Sequence, residues 1–587
     1  MAAHTAMNDH DRYVAGLVPL VIGVTGHRDL VDAEVPQIRK QVAAFLTYLR
    51  QKLPDRPLRI VSPLAEGADQ LVAEVALELD VKVTAVLPMP ADLYVADFQS
   101  RESRERFERL RSSALEVLEL PLLAGVSAEQ VSRLGELRNR QYAQLGVFLC
   151  AHSHILLALW DGKPSEEMGG TAQVVHFHHR DVMAGYSSAE DLNAQILVDD
   201  DGDLVYQIVV SRRRDNGQPQ TGLMPLQTFW LLGDEDRPRV AELPEKYLSV
   251  LERTSEFNRD AKRFEREILA QCYPLVNEKL QTRLPASAPR INRLFCAADW
   301  LAIYYQRRFI KALKFSHMLV FAMAMMILLY SDVKSSQSFM VAFGICLLFA
   351  AAVQALASRG SWHAKYLEYR TLAEGLRVQF YWAVAGVTSA SITKYAHDNF
   401  LQKQDIELAW IRNVMRFTGM GSDAAPGRDP EGLAFVRDEW IGDETSGGQL
   451  KYYRSKTGQH LARSARLEDM GRIVGVLVLV LIGTAVIVPS DRARAMLFVA
   501  VGIMLLIVSV REAYAYRVAE KEVIKQYDFM HRIFHNARRR LARARTEAEQ
   551  RRILRVLGEA ALDEHAEWIL LHRERPLSKS QLWRMEG

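Results

Sequence analysis

The chain has 587 residues, too many for one ordinary domain, and 49% of them are hydrophobic, so several structural units with a sizeable core are expected. Its 74 basic residues nearly balance its 71 acidic ones, for a formal net charge of +3, which leaves no electrostatic case for nucleic acid as the main partner. Cys150, Cys272, Cys296 and Cys346 stand far apart with no CxxC pair, which argues against a disulfide framework or a zinc site and suits a reducing cytoplasm.

Met1 to Arg12 is polar and carries no apolar run of signal-peptide type. The opening third then alternates short apolar runs with helical patterns: VPLVIGVTG, a helix through about Lys52, LRIVSPLAEGADQ, a helix through Leu79, VKVTAVLP, a further helix, and HILLALWDG. This alternation predicts an α/β, Rossmann-like domain with a parallel sheet over residues 1–190. Ligands of such sheets bind at the carboxyl ends of the strands, and the polar residues fall there.

The first strand ends in Gly23-Val24-Thr25-Gly26-His27-Arg28, where Gly26 admits a close backbone approach and His27 and Arg28 offer donors to a phosphate or ribose oxygen. The second ends in Ser62 to Asp69; Gly67 reads as a tight turn, Glu66 as the ligand-facing carboxylate and Asp69 as the structural one, capping the next helix. Beyond the third, Tyr94 and Asp97 are placed to roof a pocket, Tyr94 by stacking a base, although a core aromatic reads equally well. The run His154 to Trp160 ends in Asp161-Gly162, and Gly169-Gly170-Thr171 opens the next helix, so free backbone N–H groups and the helix dipole would face an anion. His176, His178 and His179 are spaced poorly for a helical metal site and read as surface or ligand-adjacent.

Residues 191–245 form an extension in which Gln195 to Arg212 reads as a β-hairpin turning at Asp-Gly. Residues 246–312 are a charged helical connector that meets no breaker after Pro289. Four nearly pure apolar runs follow in two pairs, predicting transmembrane hairpins over 313–358 and 456–511, each run near the roughly 20 residues a bilayer asks of a helix. The cytoplasmic helix and linker of 359–455 separate them, with Met420 to Gly432 as a linker or exposed loop, and cytoplasmic helices fill 512–587. Arg307, Arg308, Lys311, Lys314, Arg359, Lys365, Arg472 and Arg511 flank the spans on the side of the termini, which predicts a multi-pass protein of the inner membrane with both ends in the cytoplasm; Arg492 and Arg494 run against this. No charged residue occupies mid-span, which disfavours an intramembrane ionic relay. YRTLAEGLRVQFYW (Tyr369 to Trp382) and YRVAEKEVIKQYDFM (Tyr516 to Met530) match with a one-residue offset and suggest duplicated halves, with Glu374 and Glu520 one turn from an Arg in ion-pairing positions.

GVTGHRDL, SPLAEGADQLVAEVALELDVKVTAVLPMPADLYVADF, and LALWDG followed by GGTAQVV resemble, in that order, the SLOG superfamily, the Rossmann-like group related to lonely-guy phosphoribohydrolases and DprA, over roughly Pro19 to Val175. Most of residues 300–587 resembles, more loosely, the two-transmembrane effector modules found with SLOG domains in bacterial conflict systems. The resemblance implies a sensor of a nucleotide second messenger, ADP-ribose-like or a cyclic oligonucleotide; no cofactor is expected, and the balanced charge leaves nucleic acid out of the expected partners. It implies a homo-oligomer in the lipid bilayer that answers the ligand by pore formation or membrane disruption. The hydrolase branch carries PGGxGTxxE; here MGGTAQVV puts Val174 where the Glu would fall, so no catalytic residue is assigned. Two alternatives stand beside the sensor: a membrane-anchored nucleotide N-glycosidase relying on Glu66, and a channel or scaffold whose SLOG-like domain is structural.

Overall fold

In the computed structural model, which describes residues 17–187, 204–232, 239–276, 284–387, 400–401, 406–424 and 429–573, the chain divides into two units. One comprises the residues up to Ala297 together with Leu372–Gly432, the other Ala298–Thr371 together with Leu433 onward.

The first unit is built on an eight-stranded mixed sheet in the order β4-β3-β2-β1-β5-β6-β7-β8. β1 (Leu20–Gly26), β2 (Leu58–Ser62), β3 (Lys82–Leu87), β4 (Glu116–Glu119), β5 (Ile155–Trp160) and β6 (Leu204–Val209) run parallel; β7 (Thr228–Leu231) and β8 (Arg239–Val240) complete an antiparallel edge. Continuous apolar runs such as LVIGVTG and ILLALW form these strands because both faces of the sheet are covered. Period-two alternation sorts them: Ile155, Leu157 and Leu159 enter the core beneath α1 (Val35–Lys52) and α2 (Ala68–Glu78), while Leu156 and Ala158 enter the core beneath α6 (Glu136–His152) and α7 (Thr171–Arg180). Along α1, Ile38, Val42, Phe45, Leu46 and Leu49 are buried at helical spacing, and Phe45 stacks on Tyr206 of β6 with ring centroids 4.0 Å apart.

The chain steps outward from β1 to β4, then returns to pair β5 with the other side of β1, so β1 and β5 flank a topological switch point. Of the expected hairpin, residues 188–203 lie outside the described residues. Its second half is β6, a parallel neighbour of β5 whose antiparallel partner is β7.

Residues 372–432 were expected to belong to a cytoplasmic helix and linker, and the structure places them in the α/β unit. Met420 to Ala424 end a 16-residue helix, Ala409–Ala424, rather than opening a loop, and Trp410, Ile411, Val414, Met415 and Phe417 are buried along it. Two buried histidines tie it down: His154 Nε2 donates to Asn413 O at 2.8 Å, and His152 Nδ1 lies 2.7 Å from Arg416 O. His154 Nδ1 accepts from Val21 N at 3.0 Å and from the buried Arg56 at 3.0 Å, which fixes its tautomer.

The second unit is helical. Ala288–Asp332 is one unbroken 45-residue helix that enters this unit at Ala298, followed by Gln337–Arg359, a break at Ser361 with φ 47°, and Trp362–Ala385, which leaves it after Thr371. Gly448–Ile487, Asp491–Arg517, a break at Ala519 with φ 53°, and Glu520–Leu541 repeat that plan. Four of these helices are long and apolar enough to cross a membrane, and their apolar stretches are almost wholly uncovered by protein: Leu348 is 72% and Leu479 70% exposed.

The breaks set the register of the repeat. Counted from the breaks, Tyr369 corresponds to Tyr527, and Tyr516 falls at the end of the preceding helix Asp491–Arg517, so the Tyr-Arg match of the two sequences is not the structural register. Arg370 meets Asp299 at 3.1 Å, and Glu374 meets Arg377 at 2.6 Å. The side chain of Glu520 lies outside the described residues.

Candidate functional site

A cavity of about 510 Å³ opens at the carboxyl ends of β1 and β5. Of the residues singled out in the sequence, Gly26, His27, Arg28, Asp69, Tyr94, Asp97, Asp161, Gly169, Gly170 and Thr171 line it. Glu66, Gly67 and Gly162 are not in the lining.

The two carboxylates of the second strand's loop exchange places with expectation. Glu66 Oε1 accepts the backbone N–H of Gln99 at 2.9 Å, outside the cavity. Asp69 is buried at 5% exposure in the first turn of α2, lines the cavity, and keeps Oδ1 without a partner. Gly67 decides this: its φ of 78° and an approach in which a Cβ would stand 2.3 Å from Arg28 O let the helix begin directly against the end of β1. Burial pushes the Asp69 carboxyl up to about 8, against the opposing pull of Arg28 and a hydrogen bond from Ala65. Near neutral pH it is therefore mostly a protonated, uncharged group.

Beside Asp69, Tyr94 is 1% exposed with its hydroxyl unpartnered, and its ring meets Phe98 and Phe107 edge-on at 5.3 and 5.8 Å. Core aromatic and cavity floor are here the same residue. Asp97 is held by Arg138, whose Nη2 lies 2.9 Å away, and by the hydroxyl of Tyr142. Arg138 is itself anchored to Val131 O at 2.6 Å and Leu93 O at 2.9 Å. The guanidinium of Arg28 lies 5.4 Å from the ring centroid of Tyr142. Burial raises the Tyr142 hydroxyl to about 12, helped by Asp97 and opposed by Arg28, so it remains a donor.

On the opposite wall, His27 Nε2 stands 3.2 Å from both the backbone N and Oδ1 of Asp161. The neutral ring accepts from the N–H, and the protonated ring donates to the carboxylate. Burial would raise Asp161, but His27, the Lys163 N–H at 3.0 Å and Arg212 hold its carboxyl below the usual range. α7 begins at this wall with no side-chain cap, so the N–H groups of its first turn are free toward the cavity. Gly169, with φ 75°, permits that start: a Cβ there would stand 2.9 Å from Ala143 N of α6. Gly162 has φ 82° and packs against Gln220 and Leu223.

Among the described residues, Arg28, Lys163 and Arg214 have no carboxylate in ion-pair contact, whereas Arg212 is taken by Asp29 at 2.8 Å. One lining carboxylate, Glu167, is likewise unpaired. The cavity thus offers cations and backbone donors at its rim and two uncharged, unsatisfied polar groups at its floor, an arrangement suited to an anionic ligand with a polar neutral end.

Sequence reasoning missed Arg138 and Tyr142 of α6 and Lys163, Arg212 and Arg214 of the following loops. Val174 packs into the core against α6, where a Cβ on Gly146 would stand 2.8 Å from its side chain. His178 is buried in α7 and His179 nearly so, with burial lowering His179 to about 4; neither lines the cavity. No group of His, Cys, Asp and Glu among the described residues could hold a metal. The chain matches no protein-family model, and no curated protein matches it significantly.

Proposed function

We propose that this chain is a ligand-controlled membrane effector: the Rossmann-like domain binds a phosphate-bearing, nucleotide-derived signal in the cavity between β1 and β5, and the helical unit answers by opening a pore or disrupting the bilayer. The observation that carries the reading is the joint occurrence, in one chain, of a cation-rimmed cavity at a sheet switch point and four helices of membrane-crossing length. The SLOG-like motifs support the nucleotide class, with ADP-ribose derivatives and cyclic oligonucleotides both compatible with a cavity of this size. The chain belongs by this reading to a bacterial conflict system, sits in the inner membrane with both ends in the cytoplasm, and acts as a homo-oligomer.

One covalent route between sensing and response is the helix Ala288–Asp332, which starts in the α/β unit and whose apolar stretch lies in the helical one; Trp362–Ala385 also crosses from one unit to the other. A ligand shifts such a system only by its differential affinity for two states. Thermal stabilisation of the detergent-solubilised protein by ADP-ribose derivatives, cyclic oligonucleotides and nucleoside monophosphates tests the binding step. A shift with one class that Arg28→Ala abolishes is the expected result; no shift with any of them would remove the nucleotide reading.

A further inference from the structure

The near-zero net charge conceals one dense basic surface. Five of the eight residues from Arg538 to Arg545 are arginine, and no acidic residue occurs between Asp528 and Glu547. Arg538, Arg539 and Arg540 end the helix Glu520–Leu541, and Arg543 and Arg545 follow in the turn before the helix Glu547–Arg573. Arg539, Arg540, Arg543 and Arg545 are exposed, and among the described residues none of the five has a carboxylate in ion-pair contact. The helix C-terminus favours cations in its last turn, which accounts for Arg538 to Arg540 in part. It does not account for Arg543 and Arg545, which add like charge beyond the helix end.

Position rules out two partners. Glu520–Leu541 packs antiparallel along Gly448–Ile487: Tyr527 meets His460 and Tyr453, at ring centroids 5.7 and 5.8 Å, and Phe534 meets Tyr453 at 5.7 Å. Tyr453 lies 20 residues before Ile473, where the apolar stretch begins, about 30 Å along a helix rising roughly 1.5 Å per residue. The arginines lie farther still, several times the Debye length of about 8 Å in physiological salt, so lipid headgroups do not reach them. A two-fold contact with another copy through this surface would set the same arginines against one another, which is repulsive.

We propose that the Arg538–Arg545 surface binds the phosphodiester backbone of nucleic acid. A run of exposed, carboxylate-free arginines answers a polyanion whose charges repeat at every residue, and the planar fork pairs bidentately with each phosphate. The net charge, which leaves no electrostatic case for nucleic acid, averages this local surface away.

Fluorescence anisotropy of full-length, detergent-solubilised protein with a labelled 30-nucleotide single-stranded RNA and, separately, a 30-base-pair DNA duplex tests it. If all five arginines engage phosphates, log K falls against log salt with a slope of roughly −3.5 for the single strand or −4.5 for the duplex, and the tighter arm names the source. The variant Arg539→Gln/Arg540→Gln/Arg543→Gln flattens that slope by roughly 2 to 3 and weakens binding, while Arg101→Gln/Arg133→Gln, on the α/β unit, leaves both unchanged. The proposal is overturned if neither nucleic acid binds at 50 mM salt, if the triple variant binds like the parent, or if polyglutamate of equal charge competes as well as the RNA.

Discussion

Replacing Asp69 by Asn removes a titration without changing the shape of the side chain. In the folded chain burial holds this carboxyl at about 8, whereas an unfolded Asp titrates near 3.8. Between those values the native state keeps a proton that the unfolded state releases. The contribution of this group to stability is therefore largest below pH 4, falls as pH rises through the window, and levels off above pH 8. Each pH unit in the window costs about 1.4 kcal/mol, so from pH 5 to pH 7 the parent loses roughly 3 kcal/mol that Asp69→Asn does not, an upper figure because relaxation and water entry soften buried charges. Melting curves of parent and variant at pH 5, 6, 7 and 8 measure this. Every other titrating group cancels in the comparison, and the variant should gain on the parent by up to several degrees over the range. Parallel profiles would refute the reasoning and mean that Asp69 is ionised throughout, paired with Arg28.

Arg56→Met should destabilise the α/β unit by about 3 kcal/mol, seen as a lower melting temperature, because Arg56 is 1% exposed and its removal strands Pro19 O and takes from His154 Nδ1 one of its two donors. Gly67→Ala, at φ 78° with its new Cβ against Arg28 O, should cost roughly 3 kcal/mol and displace Arg28, so ligand stabilisation is lost together with stability. Leu479→Asp, on the uncovered face of Gly448–Ile487, should oppose insertion by roughly 3 kcal/mol and move protein out of the carbonate-resistant membrane fraction.

Much of the fold is legible in the residues because its causes are local. Strands buried on both faces must be continuous apolar runs, and helices facing lipid must be apolar all round, so VPLVIGVTG, HILLALWDG and the four long stretches declare themselves. The cavity is half legible for the same reason: glycines and charges at strand ends mark where a parallel sheet binds. What the sequence conceals depends on distant or rotational facts. Tyr142 and Arg138 enter the site from α6, whose composition is ordinary, and only its place before β5 hints at a role. Glu66 and Asp69 are three residues apart, and which one faces inward turns on the φ of Gly67. The packing of Ala409–Ala424 against His152 and His154 joins residues more than 250 positions apart, and no local pattern announces it.

The most direct test of ligand control joins both units in one readout: protein reconstituted into vesicles loaded with a self-quenching dye, with the stabilising nucleotide added outside. The account predicts dye release that rises with ligand concentration, disappears in Arg28→Ala, and leaves insertion of that variant intact. Release that proceeds without ligand, or persists unchanged in Arg28→Ala, would contradict it.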